Sequence, residues 1–232
     1  MPFDLLAATA DDLPAFVSIF EEAFKDDPTF KRMNPGCDPA ILFSRNLKEF
    51  RKEWGRPGRR HFKVIDRESG EIAGFSKWWY PHTPTPEQQA EEEEDERNPE
   101  PPLPGSNVAL CESFEHQLVA GRKKWINKPD MYFMNVLAVL PKYQRQGLGG
   151  LMLEPVLALA NREGRKVYIE ASKKGVGLYR RYGWIKIDSL LVDTRPYGGE
   201  MIEESEFMMR DPGTGKEIAA PGEEILSVIQ QV

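Results

Sequence analysis

Cysteine and histidine are both scarce: two cysteines, Cys37 and Cys111, and three histidines, His61, His82 and His116, in 232 residues. There is no C-x-x-C pair and no Cys/His cluster, which argues against a structural zinc site or a disulfide framework; no metal is expected, and a reduced intracellular compartment is. No apolar run approaches the ~20 residues that cross a bilayer. The opening stretch, MPFDLLAATADDLPAF, lacks a basic n-region and carries acids early, so no signal peptide is read there. A concentrated basic face of the kind that holds nucleic acid is missing as well. The expected setting is cytoplasmic, with the nucleus left open, and neither membrane nor nucleic acid is an expected partner.

What is present is an ordinary globular composition, 40% hydrophobic and 29% charged. The length suits one large domain or two small ones, as a monomer or homodimer. The net charge of -6 is uneven. Residues 81–105 hold eight acids against one base, Arg97, and so account for -7, leaving about +1 for the rest. The same stretch has seven prolines and almost no large apolar residue, which predicts a disordered or extended acidic loop. With a helix expected over about 107–124, it forms an insertion, 81–130, in a single domain 1–210; the tail 211–232 either frays or forms one short helix.

Periodicity gives α-α-β-β for residues 1–80. Leu13, Phe16, Val17, Phe20 and Phe24 share a helical face, and a second helix starts at Asp38-Pro39 and runs to about Trp54. HFKVID and IAGFSKWWY read as a hairpin turned at Arg67–Gly70. Beyond the insertion, MYFMNVLAVL (131–140) is a near-continuous apolar run and predicts a central strand. A helix follows on Leu148, Leu151, Met152, Pro155, Val156 and Leu159, with Pro155 expected to kink it. Strand 166–172, a short helix ending at Gly183, a strand on WIKIDSLLVD and a last strand on EFMMRD complete the order.

Chemistry concentrates between Met131 and Trp184. The stretch Gln144-Arg145-Gln146-Gly147-Leu148-Gly149-Gly150 joins a buried strand to a helix. Its glycines allow a tight turn, and the first N–H groups of the helix have no internal partner, so the loop suits a pyrophosphate. A bare G-x-G-G is more often only a turn that starts a helix. A dinucleotide fingerprint is the competing pattern, with Glu170 at the ribose position 23 residues after Gly147. There the third glycine is replaced by Met152, and six residues separate the strand from the first glycine.

The whole segment resembles the GNAT acyltransferase superfamily. The pyrophosphate element V-x-P-x-x-[RQ]-x-x-G-x-[GA] is matched by Val139, Pro141, Gln144, Gly147 and Gly149, and the later Y-x-x-x-G-[FW] by Tyr179, Gly183 and Trp184. Two helices followed by a hairpin agree too, so the resemblance covers about 1–80 and 131–210. It implies an α/β (α+β) fold: a mixed, mostly antiparallel sheet with a splayed central strand pair and helices on both faces. It also implies acetyl-coenzyme A as cosubstrate. By resemblance the backbone of Leu137, Ala138 and Val139 pairs with the pantetheine arm. The amides of Arg145, Gln146, Gly147, Leu148, Gly149 and Gly150 hold the pyrophosphate, with Gln144 at the family's Arg/Gln position. Arg145 and Lys142 are candidates for phosphate charge, Lys142 being better read as surface.

The implied reaction is direct attack of a primary amine on the thioester. Tyr179 matches the tyrosine that protonates the leaving thiolate, with Tyr182 the weaker choice, and an amide near Leu137 is the oxyanion donor. The base is not readable; Glu170 is one candidate, and Glu112, His116 and Asp130 are others. Trp78, Trp79 and Tyr80 are candidates to line the acceptor pocket. The expected acceptor is a small-molecule amine. A protein lysine or N-terminus, or a non-catalytic coenzyme-binding module, are the alternatives.

Overall fold

The computed structural model describes residues 2–230. In chain order the elements are β1 (Phe3–Ala7), α1 (Leu13–Phe24), α2 (Pro28–Met33), α3 (Pro39–Glu53), β2 (Arg59–Asp66), β3 (Ile72–Trp79), α4 (Pro86–Arg97), α5 (Val108–Trp125), β4 (Met131–Val139), α6 (Leu148–Arg162), β5 (Lys166–Ala171), α7 (Val176–Arg181), β6 (Ile185–Asp193), β7 (Ile202–Arg210) and α8 (Glu223–Gln230). Local signals set several starts. Asp27 accepts from the amides of Thr29 and Phe30, and Asp38 from those of Ala40 and Ile41, each just before a proline at the first helical position.

The seven strands form one sheet in the order β1-β2-β3-β4-β5-β7-β6, antiparallel except for β4 beside β5. Side chains alternate between its two faces. On one face α6, α7 and α8 pack against Phe62, Val64, Trp78, Tyr132, Met134 and Ile169. On the other, α1 and α3 cover Phe75 and Ala138, while α5 covers Phe133, Tyr168 and Phe207. α5 lies close to the sheet: a Cβ on Gly121 would stand 2.4 Å from the Phe207 ring.

Two differences from the sequence reading have physical causes. First, the chain begins with a strand that periodicity did not flag. β1 is five residues long and pairs with β2 at the sheet edge, turning only Phe3 and Leu5 into the core. Second, the acidic stretch expected to be disordered or extended contains α4. Thr85 and Gln88 form a capping box at its start, and helix-favouring Glu and Gln fill it. No residue of α4 is buried. It is held by charge: Asp95 to Lys52 and Arg56, Glu91 to Arg56, Glu92 to Lys128, and Glu96 to Lys123. The tail takes the helical alternative: α8 buries Ile229 against the first core cluster, so packing continues past residue 210. α6 runs through Pro155, which is buried.

Candidate active site

The central strand carries a bulge. Lys77 pairs with Val136, but Trp78 pairs with Met134, so Asn135 is the extra residue. On its other side β4 pairs with β5 only from Met131–Lys166 to Met134–Ile169. The splay therefore opens at the bulge and leaves Val136–Val139 unpaired on the β5 side. Leu137, Ala138 and Val139, the predicted pantetheine-facing residues, lie along that open edge.

The predicted pyrophosphate loop closes the same end. Gln144 Nε2 donates to the Val139 carbonyl at 3.0 Å, and Gln146 Nε2 to the Lys142 carbonyl at 3.1 Å. Arg145 is the one non-glycine residue with positive φ among those described, at 64°, and Gly147 has φ 89°. Alternating backbone hands of this kind turn successive amides toward one concavity, an anion nest. The amides of Leu148, Gly149 and Gly150 open α6 and add its positive dipole end. A Cβ on Gly147 would meet nothing within 4 Å, so the space before it is free. Gly149 and Gly150 serve packing instead: a Cβ there would stand 2.8 Å from the Leu178 side chain and 2.6 Å from the Tyr182 hydroxyl. Leu148 is buried and anchors the turn. Lys142 pairs with Glu71 at 2.6 Å.

Tyr179 is 7% exposed and lies edge-on to Trp184, with centroids 5.7 Å apart. Its ring covers Gly175, where a Cβ would come within 2.6 Å. Burial raises its pKa above the ordinary phenol value, so it holds its proton at neutral pH. Tyr182 instead donates to Glu154 at 2.6 Å, on the α6 side.

The base candidates are not brought together. Glu170 receives two 2.7 Å bonds from Arg122, one on each carboxylate oxygen, so the carboxylate is held as the partner of one guanidinium. Glu112 and His116 are exposed on α5; Glu112 lines a cavity of about 260 Å³ bounded by Asn46, Glu100 and Cys111, with no residue of β4 or β5 in its wall. Asp130 is exposed beside Asn127 and Arg165. The aromatic run divides between faces. Trp78 is buried against the α6 side, Tyr80 lies edge-on to Tyr132, and only Trp79 faces the α5 side, with Arg59 over its ring at 3.6 Å.

Periodicity did not single out four residues that the structure gathers here: Asn135, Arg59, Arg122 and Lys77. The one available signal was Lys77 itself, a lysine inside the apolar strand IAGFSKWW. Among the described residues no group of three or more His, Cys, Asp or Glu is placed to hold a metal, and no helix is long and apolar enough to cross a membrane.

Residues 126–194, which span β4 to β6, match the family model described as an acetyltransferase (GNAT) domain. Solved structures share the fold. One is described as histone acetyltransferase HPA2 and related acetyltransferase from Corynebacterium glutamicum. It is 22% identical, with 94% of this chain and 100% of that chain covered and a TM-score of 0.60. The C-terminal condensation domain of Ebony, in complex with beta-alanyl-dopamine, is 12% identical over 90% of this chain and 98% of its own, with a TM-score of 0.65. A putative phosphinothricin N-acetyltransferase is 13% identical over 91% and 99%, with a TM-score of 0.54. Curated proteins give no match. The glycine loop, the bulged and splayed central strand and the matched segment agree: residues 126–194 match a GNAT acetyltransferase domain, and the chain as a whole has the fold of GNAT N-acetyltransferases.

Proposed function

We propose that this protein transfers the acetyl group of acetyl-coenzyme A to the amine of a small molecule, by direct attack on the thioester. The observation that carries the donor half is the continuity of one surface: the open edge of Val136–Val139 runs into the Gln144–Gly150 nest, which offers unpaired amides to a pyrophosphate. The pantetheine arm would then lie along Leu137, Ala138 and Val139 and bring the thioester to the bulge at Asn135. A strand amide there, near Leu137, stabilises the tetrahedral oxyanion. Tyr179, kept protonated by burial, gives its proton to the leaving thiolate.

The acceptor would approach from the sheet face opposite α6. That face is flanked by α3 and α5 and bridged by α4, whose acids reach Lys52 and Arg56 on one side and Lys123 and Lys128 on the other. This cover favours a small acceptor over an extended peptide, which needs an open groove. Glu170 acts here as the partner that positions Arg122 rather than as the base; the ammonium proton is lost to water. Titration calorimetry with acetyl-coenzyme A, followed by thiol release across a panel of amines, tests the reading. Absence of coenzyme binding would overturn it.

A further inference from the structure

The sheet face between α3 and α5 is unusually polar. Lys77 projects onto it between Phe75 and Trp79 on β3 and is only 5% exposed. Its strand neighbours are His61 of β2 on one side and Val136 of β4 on the other. This row of three therefore ends beside the Asn135 bulge, where the splay begins.

Two more cations share the face, and each has its own carboxylate. Arg59 Nε donates to Glu53 at 2.9 Å, and Arg122 is paired with Glu170. Lys77 makes no hydrogen bond or ion pair among the described residues; its ammonium rests over the Phe50 ring, 4.2 Å from the centroid. Glu53 and the exposed Glu49 act on it only at longer range. Two neighbouring buried polar atoms, His61 Nε2 and Trp79 Nε1, also have no partner. Arg59 also lies 3.9 Å from Glu92, so both arginines are matched by carboxylates and Lys77 alone has none within ion-pair distance. A methionine would fill the Lys77 volume on Phe50 without desolvating a charge. A buried ammonium kept without a counterion, next to the reaction point, is a site prepared for an anion.

We propose that Lys77 is a substrate-contacting residue that holds a carboxylate of the acceptor, so that the acceptor is an amino-acid-like molecule with its amine close to its carboxylate. The assignment rests on the acetyl-transfer reading above. The carboxylate pairs with the Lys77 ammonium and has an N–H donor available at Trp79. The amine, a few ångströms away, then faces the thioester across Val136. Burial, and the fields of Arg59 and Arg122, lower the Lys77 pKa to about 8, whereas Glu53 opposes the shift; a bound carboxylate reverses it.

The test compares the common amino acids with their decarboxylated amines as acceptors, by thiol release from acetyl-coenzyme A, in the wild type, Lys77→Met and Lys77→Arg. At least one amino acid should exceed its amine counterpart about tenfold or more in kcat/KM. Lys77→Met should remove most of that preference through KM, leave the matched amine within about twofold and leave acetyl-coenzyme A affinity unchanged, which also shows that the variant is folded. Lys77→Arg should restore part of the preference. Acetyl-coenzyme A binding with no carboxylate preference in the wild type, with turnover of neither series, or with equal loss for both series in Lys77→Met overturns the Lys77 assignment alone. Failure to bind acetyl-coenzyme A overturns the acetyl-transfer reading and this inference together.

Discussion

Tyr179 and His61 are both buried rings with a titratable group, and burial drives them to the same end, the neutral form. For Tyr179 that keeps a proton available. Because its hydroxyl has no partner among the described residues, Tyr179→Phe should leave stability and acetyl-coenzyme A affinity nearly unchanged while lowering kcat by about 10²- to 10⁴-fold. Unchanged turnover in steady-state assays would remove it from the mechanism. For His61 the consequence is acid sensitivity. Burial first, then Lys77, Arg59 and Arg60, lower its pKa from 6.5 to about 3, with Glu53 opposing. Between those values the unfolded chain binds a proton that the folded chain refuses. Stability is therefore full above 6.5 and is lost as pH falls, at up to about 1.4 kcal/mol per pH unit. His61→Phe keeps a ring against Trp54, whose centroid lies 4.8 Å away. In urea unfolding at pH 7 and pH 5.5 the variant should lose about 1 kcal/mol less than the wild type. Equal losses would mean that His61 is not the group being protonated.

At the scale of elements, α4 and the glycine loop show what a sequence can and cannot display. The loop was legible because its requirements are local: Gly147 supplies a positive φ that few side chains tolerate, and the following helix supplies unpaired amides. α4 was not, because an acidic run with no apolar stripe reads as solvated unless complementary bases surround it. Those bases, Lys52, Arg56, Lys123 and Lys128, come from segments on both sides of it in sequence. The burial of Lys77 was hidden for the same reason, since it depends on how α3 and α5 pack over β3. A helix attached only by partly exposed ion pairs, each worth roughly 0.2–1 kcal/mol, should respond to salt. Raising salt from about 0.1 M to about 1 M shortens the screening length from ~10 Å to ~3 Å. Limited proteolysis should then cut within 83–105 several-fold faster, while the melting of the body shifts little. A cleavage rate independent of salt would show that something other than charge holds α4.

For the whole molecule the decisive feature is that its sheet is nearly two sheets. β1 to β4 form one half and β5, β7 and β6 the other, joined edge to edge by the short parallel ladder from Met131–Lys166 to Met134–Ile169. Past that ladder the halves diverge, and the backbone groups of Val136–Val139 on the β5 side have no strand to pair with. A polar chain laid into the opening would satisfy them and tie the halves together, as the pantetheine arm is proposed to do. Six of the seven strands were visible in the apolar runs, whereas the divergence was not, because it follows from one bulged residue, Asn135, which looks like any other polar residue in a strand. The divergence makes a prediction that no local feature makes. In hydrogen exchange, the amides of Val136–Val139 that face β5 should exchange faster than those paired with β3 in the free protein. Saturating acetyl-coenzyme A should protect them together with Arg145–Gly150, because one ligand spans both stretches. Ligand present at 100 times its dissociation constant should also stabilise the whole chain by about 2.7 kcal/mol, seen as a higher melting temperature. Protection of the glycine loop without protection of Val136–Val139 would mean that the coenzyme is held by its phosphates alone, and the thioester would have no fixed place at the bulge.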